Sequence, residues 1–380
     1  MKKNQLVTLG KHIDILSGCA FPSSGFNRNN GVPLIRIRDI LSGKTETYYE
    51  GSYDLKYLIK KGDLLVGMDG DFNREYWKGT DALLNQRVCK ITPNPETLDK
   101  NFLYHFLQKE LDKIHATTDV VTVKHLSVKK IQDIKIRLPS LKEQKRIAAI
   151  LDKADAIRQK REQAIKLADD FLRAKFLEMF GTPANNIHRF PKGTIRDLVD
   201  SVNYGTSAKA SIDSGEYPIL RMGNITYQGR WDFTDLKYLD LIVKEKDKYL
   251  VKEGDLLFNR TNSKELVGKT AVYEEDRPMA FAGYLIRVRP NSIGNNYYIS
   301  GYLNSIHGKI TLMNMCKSIV GMANINAQEL QNIEILIPPK HLQDEYEIIY
   351  KKIKKGLSIY DKSAMQLQLL ASNLSNKYFM

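Results

Sequence analysis

Hydrophobic and polar positions along the chain fall into two kinds of pattern, and each kind occurs twice. Short apolar runs bounded by Gly, Pro, Asn and Asp fill the stretches from about residue 6 to 139 and from about 193 to 338. Such runs predict short strands closed by turns. Between Leu141 and Phe180 there is no Gly or Pro, and Ile147, Leu151, Ala154, Ile157, Ile165, Ala168, Leu172 and Met179 recur on one stripe at helical spacing. One long helix is predicted, stopped by Gly181-Thr182-Pro183. After Pro338-Pro339 a similar stretch carries Leu342, Tyr346, Ile349, Ile353, Tyr360, Leu367, Leu370 and Leu374, with Gly356 as its one weak point.

The two strand-rich stretches are copies of one another. Val32-Pro33-Leu34-Ile35-Arg36-Ile37-Arg38-Asp39-Ile40 is matched by Tyr217-Pro218-Ile219-Leu220-Arg221-Met222-Gly223-Asn224-Ile225. Lys61-Gly62-Asp63-Leu64-Leu65-Val66 answers to Glu253-Gly254-Asp255-Leu256-Leu257-Phe258, and Val88-Cys89-Lys90-Ile91-Thr92-Pro93 to Leu285-Ile286-Arg287-Val288-Arg289-Pro290. The stretch from Ile131 to Pro139 parallels that from Leu330 to Pro338. Four matches in one order mark an internal repeat, which decides the architecture.

The expected fold class is therefore α+β, with two similar strand-rich globular domains separated by two long helices. The expected boundaries are 1–140, 141–181, 182–339 and 340–380. Helices of about 36 to 40 residues are on the order of 55 to 60 Å long, and neither buries its stripe alone. An antiparallel coiled coil with pseudo-twofold symmetry, one domain near each end, is the simplest arrangement.

Charge adds a partner to this picture. The chain of 380 residues carries 58 Lys plus Arg against 44 Asp plus Glu, a formal +14, which favours a polyanion such as nucleic acid. No apolar run approaches the roughly 20 residues that span a bilayer, and Lys, Asp and His interrupt the first twenty positions. No membrane association is expected, and the cytoplasm is the expected location. Cys19, Cys89 and Cys316 are far apart among apolar neighbours, which suggests buried thiols rather than disulfides or a zinc site.

In its order of globe, long helix, globe, long helix, the whole chain resembles the specificity subunit of type I restriction-modification systems. The stretch from Leu256 to Val272, which reads Leu-Leu-Phe-Asn-Arg-Thr-Asn-Ser-Lys-Glu-Leu-Val-Gly-Lys-Thr-Ala-Val, carries the resemblance, with Tyr204-Gly205-Thr206-Ser207-Ala208-Lys209 and the stretch from Tyr217 to Ile225. Leu141-Lys142-Glu143-Gln144, at the start of the first long helix, also fits, whereas its second copy departs as Leu342-Gln343-Asp344-Glu345. The resemblance implies a subunit whose two target-recognition domains each read one half of a split site on double-stranded DNA. The helices would fix the spacing and dock two methylation subunits, which bind S-adenosylmethionine. Restriction and translocation subunits, which bind ATP, would join that core. The chain itself would be non-catalytic and hold no cofactor or metal. Half-sites read from one face of B-DNA lie about 34 to 36 Å apart, a span within reach of the predicted helices.

Candidate contacts follow from the chemistry of base edges: Arg forks onto guanine, Asn or Gln onto adenine, and Asp or Glu accepts from cytosine. In the second repeat Asn259, Arg260, Thr261, Asn262 and Lys264 crowd one loop, Arg260 and Asn262 foremost. Tyr204, Thr206, Ser207 and Lys209 offer phosphate contacts that set register, as does Lys269. Arg221 and Asn224 lie in the shared Pro-led word. In the first repeat the candidates are Asp71, Asn73 and Arg74, then Gln86 and Arg87. Arg36 and Arg38 read equally as DNA contacts or as the solvated face of a strand, as do Arg287 and Arg289.

Catalytic machinery is missing from the pattern. There is no Asp/Asn-Pro-Pro-Tyr/Phe turn of the kind that holds a flipped adenine, no glycine-rich phosphate loop ending in Gly-Lys-Ser/Thr and no His-Glu-x-x-His pair. The seven histidines are scattered; His125 and His188 read as structural or solvated. Two rival readings stand beside the recognition subunit: a self-sufficient nuclease with Asp69 and Asp71 as metal ligands, and a protein-assembly adaptor.

Overall fold

The computed structural model describes residues 5–118, 124–319 and 322–379, which divide into two compact units: residues 1–160 with 362–380, and residues 161–361.

In the first unit Gln5–Thr8 pairs antiparallel with Lys135–Leu138, so the strand that opens the globe lies beside the one that closes it. Two sheets fill the space between. One runs in the order Ile13–Ser17, Val88–Pro93, Leu64–Gly67, Arg74–Tyr76; the other joins Phe26–Asn27, Tyr48–Tyr49, Val32–Ile35, Ala82–Leu84 and Leu58–Ile59. The turn before Leu64 uses Gly62 at φ 90°, and the Asp63 carboxylate accepts from the Lys60 N–H at 2.9 Å. The strand then enters the core with Leu64, Leu65 and Val66 all buried.

The second unit repeats this plan. Lys192–Thr194 pairs with Glu334–Leu336, and Val199–Tyr204, Leu285–Pro290, Leu256–Asn259 and Thr270–Val272 form the equivalent four-stranded sheet. Gly254 at φ 87° precedes Asp255, which accepts from Lys252 N–H at 2.9 Å. Both units contain one parallel pairing, Val32–Ile35 with Ala82–Leu84 and Tyr217–Leu220 with Met279–Phe281.

Helices inside the globes go beyond the expected strands and turns. Lys100–Ala116 is capped by Asp99, whose carboxylate accepts from two N–H groups, and it buries Phe102, Leu103, Phe106, Leu107 and Leu111. Asn296–Asn304, capped by Asn295, takes the corresponding place in the second unit.

The two long helices run Leu141–Phe180 and Lys340–Phe379. Ile147, Ala148, Leu151 and Phe379 belong to the core of the first unit, where the Phe379 ring stands edge-on to Phe102 at 5.2 Å and to Phe106 at 5.7 Å. Phe176, Phe180 and Tyr346 belong to the core of the second, packed on Tyr298. Two members of the expected second stripe, Tyr360 and Leu370, are instead 55% and 50% exposed, because the apolar face there is wider than the surface it packs against. Gly356 does not interrupt the second helix.

Gln144 and Gln343 settle how the two helix starts correspond. Both are buried, and each donates to the prolyl carbonyl five residues earlier, Pro139 or Pro338. Gln343 is thus the partner of Gln144, and the Leu-x-Glu-Gln word is not the right ruler for the second copy. Among the described residues no helix is long and apolar enough to cross a membrane.

Candidate nucleic-acid interface

Each unit has a rim where three backbone segments are stitched together in the same way. In the first unit Met68 N–H donates to Arg87 C=O at 2.9 Å, and Leu126 N–H donates to Met68 C=O at 2.7 Å. In the second, Arg260 N–H donates to Tyr284 C=O at 3.0 Å and Ile325 N–H to Arg260 C=O at 2.9 Å. Met68 therefore stands where Arg260 does, Arg87 where Tyr284 does. The expected loop correspondence, which set Asp69 to Arg74 against the Arg260 loop, is displaced accordingly.

The first rim is polar and ionic. Asp69 accepts from Arg87 Nη1 at 3.1 Å and from His125 Nδ1 at 2.6 Å. Both oxygens are engaged, which leaves Asp69 poorly suited to bind a metal ion. Among the described residues no group of three or more His, Cys, Asp or Glu is arranged as a metal site. Asp71 is exposed on a turn built from Gly70 at φ 72° and Phe72 at φ 50°, the Phe72 ring being buried against His115. Gln86 is exposed beside Arg87. Asn73 and Arg74 turn inward: Asn73 C=O accepts from Gly67 N–H, and the Arg74 guanidinium lies 3.4 Å from the centre of the Tyr104 ring.

The second rim is aromatic and amphipathic. The Arg260 guanidinium lies 4.8 Å over the ring of Tyr204, whose hydroxyl accepts from Ala327 N–H at 2.9 Å. Thr261 Oγ1 donates to Asn324 at 2.9 Å, and Asn262 accepts from Ser263 N–H at 2.9 Å. Ser207 and Lys209 are exposed on the adjoining loop, and Tyr284 is 55% exposed. Lys264 lines a cleft of about 360 Å³ together with Arg173, Tyr227 and Lys309. Gly205 was expected to lend flexibility; its use is close approach, because a Cβ there would sit 2.3 Å from the Phe281 and Ala282 carbonyl oxygens.

Several expected contacts lie away from either rim or beneath it. Asn259 is fully buried at the end of its strand. Lys269 is buried, donates to Met222 C=O at 2.8 Å, and burial lowers its pKa, so it holds a turn where a phosphate contact was expected. Thr206 is buried and its hydroxyl accepts from Ala208 N–H. Asn224 spends its carboxamide on Arg221 N–H, Asp232 C=O and Asp235 C=O, while Arg221 pairs with Asp235 at 2.8 Å. Arg36 and Arg38 are exposed, but the strand ends at Ile35, so they flank a short 3-10 turn rather than line a strand face. Arg287 and Arg289 are structural as well: Arg287 is buried and donates to Leu250 C=O, and Arg289 pairs with Asp255 at 2.8 Å.

Sequence reasoning missed His125, Tyr284 and Asn324, each of which reaches its rim from a distant segment. The only signal for His125 was its place in the first repeat opposite the stretch around Asn324.

Comparison with known proteins fits this doubled layout. A family model described as the type I restriction modification DNA specificity domain matches residues 1–167 and again residues 190–371. The EcoBI specificity subunit of the type I restriction enzyme of Escherichia coli is 30% identical, over 97% of this chain and 82% of that protein. The EcoKI specificity subunit of Escherichia coli strain K12 is 22% identical, over 92% and 80% respectively. Among solved structures, the S subunit of a type I restriction-modification system from M. genitalium superposes with a TM-score of 0.67 at 15% identity, covering all of this chain and 97% of that one, which shows a shared fold. With both of its repeats matched, the chain belongs to the type I restriction-modification DNA specificity family.

Proposed function

We propose that this chain is the sequence-reading subunit of a type I restriction-modification complex, each unit reading one half of a split DNA site. The observation that carries this reading is the doubled rim: one backbone stitch, built twice, displaying different side chains. Shared backbone with private side chains is what two readers of different half-sites require, since phosphate contacts position a protein while base-edge contacts specify. On this reading Asp71, Gln86, Arg87, Ser207, Lys209, Arg260, Asn262 and Lys264 face DNA, with Tyr204 and Thr261 supporting them. Asn224, Asn259, Lys269 and Thr206 hold the loops from beneath. Arg36, Arg38 and Arg221 are left to flanking phosphates, and Asn73 and Arg74 to the packing of the first rim.

The chain contributes recognition and no bond-making chemistry. Two methylation subunits dock on it, bringing S-adenosylmethionine for adenine N6 methylation; restriction subunits bring ATP-driven translocation and cleavage. The long helices set the spacing between half-sites, and the complex works on chromosomal DNA in the cytoplasm. Co-expression with the methylation subunit in a host lacking N6-methyladenine, followed by genome-wide mapping of the modified base, tests the reading. One motif of two short blocks around an unspecified spacer is expected. A stable complex that methylates nothing would favour the protein-assembly adaptor instead.

A further inference from the structure

The two rims share their backbone bonds but not their ionic chemistry. In the first, the Asp69 side chain is 21% exposed and lies beneath Arg87 and His125, whose side chains are 56% and 59% exposed. One carboxylate oxygen holds Arg87 Nη1 at 3.1 Å, the other holds His125 Nδ1 at 2.6 Å. A carboxylate can only accept here, so Nδ1 is the donor and Nε2 is left facing outward. The segments carrying all three residues are tied down by the bonds through Met68 and by Gly70 N–H to Lys124 C=O at 3.1 Å. Nothing in the fold demands this triad, since the second unit closes the same backbone stitch with Thr261 and Asn324 in place of Asp69 and His125.

A guanidinium held on one side by a fixed carboxylate is pre-oriented, so less side-chain freedom is lost when it binds. Nε and Nη2 of Arg87 make no hydrogen bond among the described residues and point a two-donor edge away from Asp69. That edge matches the O6 and N7 acceptors that guanine shows in the major groove. We propose that the first unit reads a guanine through Arg87, with Asp69 and His125 as positioning residues. The inference rests on the sequence-reading role above and adds to it the base and the residues that select it.

The test uses the complex of the full-length chain with its methylation subunit. Its methylation motif is mapped for the wild type and for Arg87→Gln, Asp69→Asn, Asp69→Glu and His125→Gln. The block that belongs to the first unit is expected to contain a guanine, and Arg87→Gln is expected to cut discrimination at that position by about 10-fold or more, leaving the other block intact. Asp69→Asn and His125→Gln should relax the same position to a smaller extent, with Asp69→Glu retaining more selectivity than Asp69→Asn. A merely structural role would lower methylation at all sites alike. As a second measurement, binding to duplexes carrying 7-deazaguanine at each guanine of that block should weaken about 10-fold at one position for the wild type and not for Arg87→Gln. A first block without guanine, an unchanged motif in Arg87→Gln, or wild-type indifference to every 7-deazaguanine overturns the proposal. Absence of any sequence-dependent methylation or binding in a stable complex is a different result, which removes the recognition role itself.

Discussion

Gln144 donates to the carbonyl of Pro139 at 2.9 Å and to that of Thr97 at 3.0 Å, while its own carbonyl accepts from Asp99 N–H at 2.8 Å. One buried carboxamide thus ties the start of the first long helix to the strand before it and to the cap of the helix Lys100–Ala116. Gln343 makes two of these bonds in the second unit, to Pro338 at 2.8 Å and to Ile293 at 3.0 Å. Replacing Gln144 by Leu strands three buried groups and is expected to cost about 2 to 3 kcal/mol, read by urea unfolding. Gln343→Leu should cost less, because it breaks fewer bonds.

Two glycines bear on different links of the argument. A Cβ on Gly205 would meet carbonyl oxygens at 2.3 Å, so Gly205→Ala is expected to push the Tyr204–Lys209 loop off its strand. In the assembled complex this should blur the half-site read by the second unit and spare the other, as methylation mapping would show. Gly356 meets nothing within 4 Å and lies inside a helix. Gly356→Ala is expected to stabilise by about 0.5 to 1 kcal/mol, seen as a higher midpoint in thermal unfolding.

Lys309 supplies a pH dependence. Burial, with Arg173 and Lys269 nearby, lowers its pKa from 10.5 to about 8. Between about pH 8 and 10.5 the unfolded chain holds a proton that the folded chain has released, so this residue makes stability rise with pH across that window. Lys309→Met should remove that rise. Urea unfolding of both proteins at pH 7.5 and 9.5 checks it, and an equal pH response in the two would contradict the assignment.

Arg260 tests the chemistry of the second rim. Lysine at this position keeps the charge but cannot stack a planar fork on Tyr204. Arg260→Lys is expected to relax base selectivity in the second half-site while leaving the salt dependence of DNA binding nearly unchanged, since one cation replaces another. A steep loss of overall affinity without change in the motif would instead make Arg260 a phosphate contact.

Much of the architecture was legible because repetition writes the same signal twice. The Gly-Asp turns before Leu64 and Leu256 and the uninterrupted stripe from Leu141 to Phe180 rest on local chemistry, so they were readable without the fold. The helix Lys100–Ala116 was equally available, with Asp99 as its cap and Phe102, Leu103, Phe106, Leu107 and Leu111 at helical spacing, but the strand signals around it drew attention away. The rims were only half legible. Arg87 and Arg260 stood out by residue type, but pairing Asp69 with His125, or Tyr204 with Ala327, depends on strand register between distant segments. Burial was the least legible property. Asn224, Asn259 and Lys269 have the composition of contacts, and only packing shows that they brace the loops instead.

The most direct test of two independent readers is an exchange. Replacing residues 193–338 by the corresponding domain of the EcoBI relative, in the complex with the methylation subunit, should change one block of the methylated motif and leave the other as it was. A motif altered in both blocks, or in neither, would contradict the account.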